Sequence, residues 1–128
     1  LGDVYKRQAH NHMKQIEKAE HEIIQGYFEK GACVIVGRSA NFVLEKADSL
    51  NVFVFSNIKQ RIAYALSHYD VDEKQAKLMI EKTDRERKIH AMSFYSKEWG
   101  NKSNYDLLLN SGELGIEKCV KLIVDAVK

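Results

Sequence analysis

Proline is absent from this 128-residue chain, so no helix here is interrupted by a residue that lacks its N–H. Cysteine occurs twice, as Cys33 and Cys119, far apart in sequence and each in apolar surroundings. That spacing argues against a disulfide framework or a cysteine metal pair and predicts two buried free thiols in a reducing cytoplasm. The seven glycines (2, 26, 31, 37, 100, 112, 115) nowhere form G-x-x-x-x-G-K-[ST] or G-x-G-x-x-G. The 128 residues therefore contain no loop able to cradle a nucleotide triphosphate. No apolar run approaches the roughly 18–20 residues of a membrane span, and no secretory signal leads the chain, so no membrane partner is expected. Charge of one sign is also scarce: 20 basic against 18 acidic residues leave a net charge of +2. Without a basic stripe interleaved with aromatics, no nucleic-acid partner is expected. The five histidines fall at no zinc-ligand spacing, so no metal site is assigned.

What is there alternates between two periods. Ile16, Ile23, Ile24, Tyr27 and Phe28 recur at helical spacing between Met13 and Lys30, with Gly31 as the stop. "ACVIV" (32–36) is a continuous apolar run suited to a strand covered on both faces. Ser39 can cap a short helix carrying Ala40, Val43, Leu44 and Ala47 on one side. "NVFVF" (51–55) reads as a second strand, and Asn57 as the cap of a helix with Ile58, Ile62, Ala65 and Leu66 on its inner stripe. Asp72 and Gln75 make a capping box for a helix running to about Glu98, with a break expected near Thr83–Asp84. "YDLLL" (105–109) is a third strand, before a terminal amphipathic helix. Strands separated by helices imply crossovers and a parallel sheet, hence an α/β fold with its ligand at the strands' carboxyl ends.

Two arginines stand out from the charged background. In "EKTDRERKIHA" (81–91), Glu81 can pair with Arg85, Asp84 with Lys88 and Glu86 with His90 at four-residue spacing. Arg87 then has only Asp84, three before it, within reach, and is the least committed arginine of the run. The alternative is a solvated helix face. Arg38, at the expected strand end, has no acid between Val34 and Phe42. It is either a structural arginine reaching a distant carboxylate or a phosphate-binding residue.

At "CVIVGRSANFVL" (33–44), "NVFVF" with "QRI" after it (51–62), "DRER" (84–87) and "EWGNKSNYDLLLNSGELGIEKCVKLI" (98–123), the chain resembles the cytidylate kinase-like family of P-loop nucleoside monophosphate kinases. The order and spacing of all four pieces carry the resemblance. It implies a roughly five-stranded parallel sheet and transfer of the γ-phosphate of ATP, with Mg²⁺, to a pyrimidine monophosphate such as CMP. Such transfer consists mainly of positioning and charge neutralisation, which arginines supply. By resemblance, Arg38 stands near the acceptor's phosphate, Asp84 and Arg87 are the acid and arginine of the lid helix, and Arg85 is a second lid candidate. Asn110–Gly115 falls where the donor base would lie. Where well-characterised cytidylate kinases carry an aspartate after Gly-Arg, this chain has Ser39, with Asn41 the nearest polar stand-in.

The chain opens "LGDVYKRQ" without an initiator methionine and without the periodicity that follows. Residues 1–8 are accordingly expected to be adaptor- or cloning-derived, and 9–128 the C-terminal part of a cytidylate kinase-like domain. The family's first strand and glycine-rich loop do not occur in the 128 residues, so the expected molecule is truncated, without a central strand. It is also expected to be inactive alone. Strands 32–36 and 51–55 should then be direct parallel neighbours or leave a slot one strand wide, with self-association through exposed strand edges. The rival expectation is a non-catalytic α/β module that keeps its arginines for a phosphorylated ligand.

Overall fold

The computed structural model describes residues 2–45 and 47–127, with side chains from residue 11 onward. It consists of two compact units, Leu1–Ala47 and Asp48–Lys128. Among the described residues no helix is long and apolar enough to cross a membrane.

The first unit is helical. Helix α1 (Gly2–Glu29) runs unbroken through the segment expected to precede it, and Gly31, at φ +124°, follows its end. Of the predicted apolar stripe Ile24 is buried, while Ile16, Ile23 and Tyr27 remain exposed. The stretch 32–36 is not a strand: it enters no ladder, and Val34 and Val36 are 92% and 90% exposed. Nor does it pair with 51–55, as one of the two expected arrangements required. An apolar run becomes a strand only where a neighbour takes up its N–H and C=O groups, and here none does. Cys33, expected to be buried, is exposed with the rest of that stretch. Helix α2 (Ala40–Val43) packs on α1. Ser39 begins α2 through its carbonyl, which accepts from the Phe42 and Val43 N–H groups, rather than through a side-chain cap.

The second unit is α/β. Strands β1 (Val52–Phe55) and β2 (Leu107–Asn110) pair in parallel, Val52 opposite Leu107 and Phe55 opposite Asn110. The sheet has two strands among the described residues, against the roughly five that the resemblance implies. A parallel pair needs a long crossover, supplied here by α3 (Ile58–His68) and α4 (Glu73–Tyr95), which pack together. Asn57 caps α3 by accepting from the Gln60 N–H at 2.9 Å. The Asp72–Gln75 capping box forms in both directions, at 2.7 and 2.9 Å. The break expected near Thr83–Asp84 is absent: the Thr83 hydroxyl donates back to the Met79 carbonyl at 2.9 Å within a continuous helix. Helix α4 stops at Ser96, whose φ of +53° is left-handed, before Gly100 is reached. A 3₁₀ turn (Lys102–Asn104) leads into β2, followed by α5 (Ser111–Leu114) and α6 (Ile116–Ala126). Ala65, Ala76, Ile80, Ala91, Leu109 and Cys119 are buried. Ile116, Val120 and Val124 on α6 are not, and among the described residues no large side chain is fully enclosed.

Candidate functional site

Helix α4 carries Asp84 and Arg87 one turn apart, and α3 brings Arg61 to the same carboxylate. Arg61 donates from Nη1 to Asp84 Oδ2 at 2.6 Å and from Nη2 to Oδ1 at 2.9 Å, a two-point fork on a planar acid. Arg87 Nη1 donates to the same Oδ1 at 2.9 Å. The Arg61 bonds hold the Asp84 carboxyl below the usual carboxylate range, with Arg87 adding to the effect and partial burial opposing it. Asp84 in turn raises the Arg61 guanidinium. The Arg87 guanidinium also lies over the Trp99 ring, 5.7 Å from its centroid, and its side chain is half exposed.

Trp99 is itself fixed. Its ring meets Phe53 of β1 edge-on at 5.1 Å, and Phe53 meets Tyr105 at 4.8 Å. The Tyr105 hydroxyl accepts from the Gly100 N–H at 3.1 Å, and Gly100 adopts φ +83° beside the Phe53 ring. The loop between α4 and β2 is thereby folded into a platform under Arg87.

Several predicted pairings give way to tertiary ones. Asp84 joins Arg61 and Arg87 rather than Lys88, and Arg85 makes no ion pair with Glu81 among the described residues. The exposed i,i+4 pair that does form is Lys82–Glu86, at 3.9 Å. Among the described residues Asp84 is the acid that Arg87 meets, but Arg87, expected to be the least committed arginine of the run, is held by Asp84 and Trp99, and it is Arg85 that makes no ion pair. Arg61 was visible in the sequence as part of "QRI", yet its role was not, because its partner lies 23 residues away.

In the first unit, Gly37, Arg38 and Ser39 turn together through left-handed backbone, at φ +77°, +53° and +54°. For the two non-glycine residues this costs roughly 1–2 kcal/mol each, and strain of this kind gathers at functional turns. Arg38 reaches back to α1: its Nη2 lies 2.7 Å from Glu20 and 3.6 Å from Glu17, and its Nε donates to Glu20 at 2.8 Å. The distant-carboxylate alternative is therefore the one seen. Asn41, one position into α2, has a buried Nδ2 with no hydrogen-bond partner among the described residues.

At the carboxyl ends of β1 and β2 a polar network forms. Asn110 caps α5, Ser111 donates to the Phe55 carbonyl at 3.2 Å, and Gln60 Nε2 donates to the Gly112 carbonyl at 3.0 Å. Ser56 donates to the Gln60 side-chain oxygen at 2.8 Å. A Cβ on Gly112 would overlap the Gln60 amide and the Ser56 hydroxyl, so any larger residue there would have to displace these two side chains.

A conserved-family sequence model spans nearly all of these residues: that of the cytidylate kinase-like family matches residues 2–113. The chain belongs to the cytidylate kinase-like family. A solved relative shares the fold: the crystal structure of an uncharacterized protein from Eubacterium ventriosum ATCC 27560 superposes with a TM-score of 0.80 at 26% identity. The match covers 88% of this chain and 65% of that one, so the chain spans somewhat less than two thirds of that protein's length. None of the curated proteins compared matches it.

Proposed function

We propose that this cytidylate kinase-like chain carries the lid and acceptor side of a nucleoside monophosphate kinase of the P-loop type. The reaction is transfer of the γ-phosphate of ATP, entering with Mg²⁺, to a pyrimidine monophosphate such as CMP. The observation that carries this reading is the half-exposed Arg87 guanidinium, fixed between Asp84 and the Trp99 ring. An arginine held in place before its anion arrives needs no reorganisation when charge develops on a transferring phosphoryl group. Arg85, without an ion-pair partner among the described residues, is the second lid cation.

On the acceptor side, Arg38 would meet the monophosphate by exchanging Glu20 for a phosphate oxygen. The unpartnered Asn41 Nδ2 supports a role toward the acceptor's sugar beside Ser39, since an unmet buried donor costs about 1–3 kcal/mol until an acceptor oxygen reaches it. Cytoplasmic nucleotides are the substrates in this reading.

The 128 residues hold no glycine-rich loop for the β- and γ-phosphates, so the chain by itself should not turn over ATP with CMP, UMP or dCMP. Calorimetric titration tests the acceptor side directly. CMP should bind and cytidine should not, and Arg38→Ala should abolish the difference; equal binding of CMP and cytidine would refute it. In a longer chain supplying the donor loop, Arg38→Ala should chiefly weaken acceptor binding. There Arg87→Ala should chiefly lower turnover, by about 10²–10³-fold. The second reading, a non-catalytic module for a phosphorylated ligand, calls on the same half-exposed Arg87 and needs no donor loop. Extending the reading frame upstream separates the two: a strand followed by a glycine-rich loop supports the kinase, and a start codon close to Ala9 supports the module.

A further inference from the structure

Asp84 is one carboxylate shared by two guanidinium groups, and its Oδ1 accepts from both. The three side chains therefore carry one positive charge in excess. We propose that Arg61 is a positioning residue for anion binding at Arg87: by occupying Asp84 with a two-point bond, it leaves the Arg87 charge available to a polyphosphate on the Trp99 face. This deepens the proposed function and rests on its reading of Arg87 as a phosphate-facing residue.

The geometry supports the division of labour. Arg61 is the more enclosed of the two arginines, with its side chain 30% exposed against 50% for Arg87. Its fork takes both Asp84 oxygens, whereas Arg87 spends a single N–H on Oδ1. A guanidinium has five N–H donors, so Arg87 keeps most of its donors for a ligand. Without Arg61, Asp84 would turn wholly to Arg87, and the remaining pair would be neutral. The loss would fall on a residue that need not touch the anion.

Trp99 is the single tryptophan of the chain and lies under Arg87, so its fluorescence reads the site directly. Inorganic tripolyphosphate, titrated into the 128-residue chain, serves as the probe. Arg87→Ala and Arg61→Ala should each weaken its binding about tenfold, the effect of losing one charge-assisted interaction. Arg61→Lys, which keeps a cation on Asp84, should retain most of the affinity, and Asp84→Asn should bind at least as tightly as the parent. Unchanged binding by Arg61→Ala, or Arg61→Lys as weak as Arg61→Ala, would overturn the proposal, as would absence of saturable binding to the parent chain. Should Arg61→Ala lose its helical circular dichroism, Asp84→Asn decides: weaker binding without the carboxylate refutes charge sharing. A chain that shows this pattern with tripolyphosphate but binds CMP no better than cytidine would sink the kinase reading and leave the role of Arg61 standing.

Discussion

Arg61 on α3 and Asp84 on α4 are joined at both carboxylate oxygens, at 2.6 and 2.9 Å. The bond ties the two crossover helices together at the level where Arg87 projects. It thus contributes both to packing and to the shape of the candidate site.

Stability should depend on acid through this pair. Folding holds the Asp84 carboxyl below its ordinary value, chiefly through the Arg61 bonds, so the unfolded chain binds the proton more readily. The contribution is complete above the unfolded carboxylate's pKa of about 3.9 and is lost as pH falls through the lower folded value. Urea midpoints measured from neutral pH downward should show a constant gap between the parent and Asp84→Asn that closes only in that acid range. A gap that narrowed near neutrality would contradict the assignment.

Arg85 and Arg61 should separate in a folding assay. Arg85 has no ion-pair partner among the described residues, so Arg85→Ala should leave stability within about 0.5 kcal/mol. Arg61→Ala removes a two-point bond and should cost about 1–2 kcal/mol, at the low end for charge-assisted bonds because both partners keep some solvent contact. Chemical denaturation of the two variants side by side checks the ranking.

Two glycines should respond with opposite sign. Gly26 lies inside α1 with nothing near its missing Cβ, so Gly26→Ala should stabilise by about 0.5–1 kcal/mol. Gly100 sits at φ +83° with the Phe53 ring 3.4 Å from where a Cβ would stand. Gly100→Ala should cost about 1–2 kcal/mol through left-handed strain and should shift the Trp99 emission. Thermal melts give both values.

The uncovered segment 32–36 should make the chain associate. Val34 and Val36 are almost wholly exposed in a stretch that enters no ladder, and each strand of the sheet has a single partner strand among the described residues; such open edges recruit other chains. Size-exclusion chromatography with light scattering should show mass rising with concentration, and Val34→Lys with Val36→Lys should reduce the rise. A monomer at every concentration would mean that the two units need no further strand.

The sequence by itself determined what depends on neighbours within a turn or two. The Asn57 cap, the Asp72–Gln75 box, the strands near 51–55 and 105–109, their parallel sense and the Asp84–Arg87 contact were all legible. Each rests on a hydrogen bond, a periodicity or a crossover length that local sequence specifies. What required tertiary structure was the choice among distant partners. "ACVIV" has the composition of a buried strand, yet a strand is a relation between two segments, and without a neighbour its groups face water. Arg38 has no acid nearby in sequence and takes Glu20 from the preceding helix; Asp84 had Lys88 at ideal helical spacing and takes Arg61 instead. A two-point fork on a partly buried carboxylate outweighs a flexible, solvated i,i+4 pair, and only the packing of α3 on α4 brings that fork within reach.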